Sequence, residues 1–221
     1  MSIIKANSIE DKERVQQLYF FEDEARGEGY NLIAGVDEAG RGSLVGEMTV
    51  AAVILPPDLY LPKLNDSKKI SAHIREELFD LIVENAIAWH CELVSIEEID
   101  SQNIYQATLH GMKRAVENLS VQPDFVLTDA MKLDNLKMPS RSIIHGDALS
   151  ASIAAASIIA KVTRDRMADD WSKQFPEYGF DKNRGYGTKF HLDAIKNFGY
   201  SPIHRKSFNP VKSMIEFENK F

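Results

Sequence analysis

Residues 32–57 read LIAGVDEAGRGSLVGEMTVAAVILPP. Two apolar runs, Leu32–Val36 and the β-branched stretch from Met48 to Leu55, flank a glycine-rich turn, and Pro56 and Pro57 stop the second run. The pair reads as a buried hairpin. Its turn opens on two adjacent carboxylates, Asp37 and Glu38, and carries a single arginine, Arg41. Acids beside open backbone suit a helix cap, a cation site, or a place where an anion is held through a bound cation.

Outward from the hairpin, the elements alternate in type. Residues 9–26 have the spacing of one amphipathic helix. Residues 71–87 carry Ile74, Leu78, Leu81 and Ile82 at helical intervals behind Ser71 as N-cap. WHCELVSI (89–96) reads as a strand, NIYQATLHGMKRAVENL (103–119) as a helix, FVLTDA (125–130) as a buried strand ending in Asp129, and RSIIH (141–145) as a short fifth strand before Gly146-Asp147. Residues 148–171 then read as one long helix whose first half is apolar on every side, as expected of a helix buried against a sheet. The plan is mixed α/β, a five-stranded sheet flanked by helices. Residues 171–221, rich in Lys, Arg and aromatics, read as a helical extension.

A chain of 221 residues suits one substantial core, and 44% hydrophobic with 27% charged residues is an ordinary soluble composition. No apolar run approaches the ~20 residues of a membrane helix, and the opening residues are charged rather than signal-like, so no membrane association and a cytoplasmic location are expected. The lone Cys91 excludes an intrachain disulfide and any multi-cysteine zinc site, and its apolar setting suits packing. A net charge of −7 argues against a nucleic-acid partner until it is divided along the chain. Residues 1–160 hold 14 Lys+Arg against 25 Asp+Glu, whereas 161–214 hold 11 against 6. An acidic body beside a basic C-terminal region suits a protein that grips phosphates with one part and holds metal with another.

Three strands deliver acids at their C-terminal ends: Asp37 with Glu38, Asp129, and Asp147 just beyond the fifth. In open α/β sheets that edge is where ligands bind. Each acid has a plainer reading alone. Asp147 could be a helix N-cap, Asp129 a turn residue, and Glu38 could face solvent because adjacent strand residues point to opposite sides. Together they are costly to bury without a counter-charge, and no Lys or Arg lies within the strands that end in Asp37 and Asp129. A divalent cation is the natural remedy, and all-oxygen ligation favours Mg²⁺ or Mn²⁺. Two such ions can activate water and stabilise a leaving oxygen in phosphodiester cleavage. GRGSLVG matches neither nucleotide-binding glycine motif. Gly40 and Gly42 around Arg41 instead let backbone groups approach a ligand, close enough to read a ribose 2′-hydroxyl.

GVDEAGRG, LNDSKKIS, LTDA, GDALSASIAAASIIAKVTRDR and YGFDKNRGYGTKFHLDAIKNFGYSPIHRKSF, in that order across residues 30–208, resemble ribonuclease HII, the type 2 ribonuclease H family. The resemblance implies a ribonuclease H-like sheet with a C-terminal helical extension: residues 1–30 as an N-terminal extension, 31–170 as the catalytic core, 171–221 as the substrate-binding part. It implies an endonuclease that cuts the RNA strand of RNA–DNA hybrids and 5′ of single ribonucleotides in duplex DNA, leaving 3′-hydroxyl and 5′-phosphate ends. The family's metal-binding acids fall on Asp37, Glu38, Asp129 and Asp147, its 2′-hydroxyl reader on Gly40, Arg41 and Gly42, and its junction-sensing tyrosine on Tyr186. Lys68, His204 and Arg205 fall where phosphate contacts are expected, although Lys68 also suits a solvated surface and His204 a core. Ser43 and Glu47 stand where the family usually has proline, and His145 where it commonly has lysine. A monomer is expected. The rival readings are a ribonuclease HIII-like nuclease, against which Arg41 and the short N-terminus speak, and a silent hybrid-binding module, against which four intact acids speak.

Overall fold

The computed structural model describes residues 9–219. Strands β1 (Ile33–Ala39), β2 (Met48–Ile54), β3 (Ala88–Val94), β4 (Phe125–Asp129) and β5 (Ser140–Ile143) form one sheet in the order β3-β2-β1-β4-β5. β2 runs antiparallel to β1 and β3, whereas β4 and β5 run parallel to β1. The expected hairpin is present, but β1 does not stop at Val36. Asp37, Glu38 and Ala39 continue its ladder opposite Ala51, Val50 and Thr49, so the paired acids sit on regular strand backbone rather than in the turn.

Helices cover both faces. α3 (Ala72–Asn85) and α7 (Ala151–Gln174) pack on one side with Ala51 and Val53, while α4 (Ile96–Gln102) and α5 (Ile104–Glu117) pack on the other with Val36, Val50 and Val126. The alternation of a strand's side chains puts Gly35 and Asp37 on the α7 side. At Gly35 the approach is so close that a Cβ would lie 2.1 Å from the Ser152 carbonyl carbon. Only glycine lets α7 lie flush on β1 at that point.

Two expected helices are each divided. Residues 9–26 form α1 (Ile9–Gln17) and α2 (Phe20–Gly27), separated where Leu18 and Tyr19 turn into the core and the Tyr19 hydroxyl donates to Leu59 O at 2.7 Å. Residues 148–171 begin earlier than expected, as the four-residue α6 (Gly146–Leu149), and break at Ser150 before α7. Ser150 has extended backbone and caps α7 by accepting from Ile153 N. Similarly, the expected strand 89–96 ends at Val94 because Ser95 caps α4. Cys91 packs against the cluster beneath α7, and burial pushes its thiol up to about 11.

Beyond α7 lie a 3₁₀ turn (Pro176–Tyr178), α8 (Phe180–Asn183), α9 (Lys189–Phe198) and α10 (Val211–Glu218). They share a small core with Trp171 and with Leu44 and Val45 of the glycine loop. Burying an aliphatic side chain of this size stabilises by about 2 kcal/mol, so the loop is anchored into the C-terminal part. The stretches 1–30 and 171–221 are therefore seen from residue 9 and as far as residue 219; Met1–Ser8, Lys220 and Phe221 lie outside the described residues. Among the described residues no helix is long and apolar enough to cross a membrane.

Candidate active site

β1 and β4 are parallel neighbours, with Val36 opposite Thr128, so the next residues along each strand, Asp37 and Asp129, emerge side by side. Asp147 comes to them from the second position of α6. Carboxylate oxygens of Asp37, Asp129 and Asp147 all lie within 4.8 Å of one another. Asp37 and Asp147 are buried, and each acid is held by a specific contact. Asp37 Oδ1 accepts from Glu38 N at 2.7 Å, Asp129 Oδ1 accepts from Gly146 N at 2.7 Å, and Asp147 Oδ2 lies 3.4 Å from Lys68 Nζ.

Glu38 stands outside that trio. Strand alternation would send it away from Asp37, but the cleft lies off the end of the strand and both residues line it. Its Oε1 is 3.8 Å from Arg41 Nη1, while its Oε2 is buried with no hydrogen-bond partner. A buried carboxylate oxygen left bare is expensive.

The electrostatics agree. Burial, followed by the charges of Glu38 and Asp129, holds Asp37 well above the ordinary carboxylate range. Glu38 is pushed up to about 7 by burial, with Asp129 adding and Arg41 opposing. Asp129 is raised by burial against the Gly146 hydrogen bond. Burial works against the charge of Lys68, but Asp147, Asp37 and Asp66 outweigh it and raise its pKa. Arg41 and Lys68, with Lys161 already paired to Asp165, do not neutralise four converging acids. The oxygen-only donors, the mutual repulsion and the bare Glu38 oxygen fit a hard divalent cation.

The cleft beside the acids has a volume of ≈ 440 Å³. The loop Gly40–Arg41–Gly42 forms one wall, and Tyr186, Ser67 and Lys68 contribute to the others. Gly40 has φ +94°, and a Cβ there would lie 1.8 Å from Arg164 Nε. Gly42 is exposed and faces Tyr186, whose ring is 40% exposed. Ser43 is fully buried, and its hydroxyl donates to Val45 O at 3.1 Å, tying the turn where proline was expected. His145 is exposed in the left-handed region (φ 60°) as the residue before α6.

Two expected phosphate contacts are placed elsewhere. His204 is buried among aromatic rings, its Nε2 3.1 Å from His191 Nε2 and its Nδ1 accepting from Ser201 N at 2.9 Å. Burial and then His191 push its pKa down to about 4. Arg205 is also fully buried. Its Nε donates to Gly46 O at 2.9 Å and its Nη1 to Arg41 O at 3.1 Å, so it braces the glycine loop from behind.

Three residues of α7 escaped the sequence reading. Ser157 and Lys161 line the cleft, and Arg164 lies beneath the loop, donating to Glu47 O, Arg184 O and Val45 O. Their spacing of i, i+4, i+7 puts them on one face of α7, starting within its apolar first half, and that was the available signal.

Comparison of the sequence with a family model and with curated relatives gives one family. A family model described as Ribonuclease HII matches residues 34–211. A curated relative named Ribonuclease HII from Bacillus cytotoxicus is 53% identical over 212 residues, covering 96% of this chain and 82% of its own length. Another of that name, from Desulfitobacterium hafniense, is 52% identical over 206 residues, covering 93% and 79%. Among solved structures, the ribonuclease H2 from Pyrococcus horikoshii OT3 superposes with a TM-score of 0.73 at 24% identity, covering 86% of this chain and 99% of that one. At that identity the likeness speaks to the fold.

Proposed function

The chain belongs to the ribonuclease HII family, and from that premise we propose how its cleft carries out the work of a ribonuclease H endonuclease. Its substrates are RNA–DNA hybrids, whose RNA strand it cuts, and duplex DNA containing single ribonucleotides, which it incises on the 5′ side to leave 3′-hydroxyl and 5′-phosphate ends. The observation that carries this reading is the convergence of Asp37, Asp129 and Asp147 within 4.8 Å beside a glycine loop and an exposed tyrosine.

The family depends on divalent metal, and the acid cluster is its counterpart here. Asp37, Glu38, Asp129 and Asp147 are the residues that would hold Mg²⁺ or Mn²⁺. When bound, such ions supply activation of water and charge neutralisation at the leaving oxygen. The remaining steps belong to the chain. Gly40 and Gly42 bring backbone within reach of the ribose 2′-hydroxyl, and Arg41 and Lys68 offer cations to adjacent phosphates. Tyr186 stacks on the neighbouring sugar and selects a deoxyribose there. None of the residues lining this part of the cleft is a histidine, and no imidazole is assigned a proton-transfer role.

The C-terminal residues from 171 onward act with the core as the part that holds the duplex, and the protein works as a cytoplasmic monomer. Cleavage of a DNA duplex with one embedded ribonucleotide tests the reading, comparing the intact protein with Asp129→Asn and Tyr186→Ala in Mg²⁺ or Mn²⁺. Incision 5′ of the ribose that vanishes in Asp129→Asn and drops severely in Tyr186→Ala is the expected result. Cleavage confined to long hybrids would remove the junction role of Tyr186, and absence of cleavage with either metal would overturn the nuclease reading.

A further inference from the structure

Asp147 reaches the cleft on a helix of only four residues, and a segment that short does not hold its own orientation. α6 is tied at both ends by carboxylates. At its start, Gly146 N donates to Asp129 Oδ1 at 2.7 Å. At its end, Ser150 is gripped by Glu22, a residue of α2 that lies 128 positions away in sequence.

Glu22 is buried, and a single oxygen accepts three hydrogen bonds: Ser150 Oγ at 2.6 Å, Ser152 N at 2.8 Å and Ser152 Oγ at 2.5 Å. Its Oε2 has no partner. Around this carboxylate the first amides of α7 are all engaged, Ala151 N by Leu18 O, Ser152 N by Glu22 and Ile153 N by Ser150 Oγ. Negative charge is favoured at a helix N-terminus, and buried amides without partners are costly. Gly35 of β1 presses on the Ser152 and Ile153 backbone, so the start of α7 is also fixed against the sheet.

Only the break at Ser150 separates α6 from α7, and the strongest acceptor at that break is Glu22. We propose that Glu22 is a positioning residue for the metal site: through Ser150 and Ser152 it fixes the α6–α7 junction, and thereby the direction in which Asp147 presents its carboxylate. This gives the N-terminal helices a part in the chemistry of a cleft they do not line. The inference rests on the reading of Asp147 as a metal ligand. Residues that orient a ligand without touching the metal commonly change metal affinity by about 10–100-fold when removed.

The test is Mn²⁺ binding by calorimetry on the whole chain, alongside kcat and KM on the ribonucleotide duplex, for the intact protein, Glu22→Ala, Glu22→Gln and Val15→Ala. Val15 is buried in α1, and its apolar side chain makes none of the hydrogen bonds to Glu22, Ser150 or Ser152, so its truncation lowers stability without removing the carboxylate's contacts. The expected result is Mn²⁺ affinity at least ten-fold weaker in Glu22→Ala, a lower kcat with KM within two-fold, partial recovery in Glu22→Gln, and unchanged affinity in Val15→Ala. Equal weakening in Val15→Ala and Glu22→Ala, or intact affinity in Glu22→Ala, would overturn the positioning role while leaving the metal site standing. No Mn²⁺ binding by the intact protein would overturn the metal reading and this inference with it.

Discussion

Gly40 rests on Arg164 at a distance no other residue could occupy: a Cβ on the glycine would lie 1.8 Å from the guanidinium Nε. Gly40→Ala therefore meets both a clash with a buried side chain and a left-handed backbone. A loss of about 1–3 kcal/mol in urea unfolding is expected, together with a fall in activity of at least a hundred-fold. Gly42→Ala, which has open space, should fold with near-intact stability and lose mainly substrate affinity. Equal stability losses in the two variants would count against this picture.

Arg164 fixes three carbonyls at once, on Val45, Glu47 and Arg184, and lies near the rings of Trp171 and Tyr186. A lysine keeps the charge but not the fork. Arg164→Lys should lower the melting temperature by several degrees and reduce cleavage at single ribonucleotides by at least ten-fold. Differential scanning calorimetry and initial rates check it, and wild-type behaviour in both would show that charge alone suffices.

The acid cluster sets stability against function. Glu38 has a folded pKa of about 7, above its ordinary 4.5. The folded state then binds more protons than the unfolded one between those values. Its ionisation costs stability as pH rises through that window, and the cost is fully present above 7 and absent below 4.5. In metal-free protein, Glu38→Gln should raise the melting temperature at pH 8 by about 3 °C and give no gain near pH 4.5. Adding Mg²⁺ should narrow the difference at pH 8. A melting temperature in the variant that is lower at pH 8 and unaffected by metal would contradict the account.

His204 works in the opposite direction. Its folded pKa of about 4 lies below the ordinary 6.5, so the unfolded chain takes up the proton first. Stability is full above 6.5 and is lost as pH falls toward 4. The facing Nε2 atoms of His191 and His204, 3.1 Å apart, can share one hydrogen only while at least one ring is neutral. His204→Gln should flatten the acid side of the melting-temperature profile between pH 6.5 and 4, and an unchanged slope would show that other groups govern it.

The sheet and its acids were readable because both depend on local pattern. Apolar runs bounded by glycine and proline marked β1, β2 and β4, and Asp37 and Asp129 stood out as charges at their ends. The divisions within helices were not readable, since the 3.6-residue periodicity passes through Ser150 unbroken. The group that secures the break is Glu22, far away in sequence. The same limit governed His204 and Arg205. A basic cluster near the C-terminus suggests phosphate contacts, and only the packing of Tyr178, Phe180 and His191 around His204 shows why that side chain is neutral and enclosed.

The grip of Arg205 on Arg41 O has a consequence for the cleft. In a planar trans peptide the carbonyl and the following N–H point in opposite directions. With the Arg41 oxygen drawn inward by a buried guanidinium, the Gly42 amide is aimed outward, and the carbonyls of Val45, Gly46 and Glu47 are likewise held from within. The Gly42 amide is thus a fixed dipole whose orientation the solvent does not set. Its pull on an incoming phosphate should persist at salt concentrations that silence the exposed ammonium of Lys68.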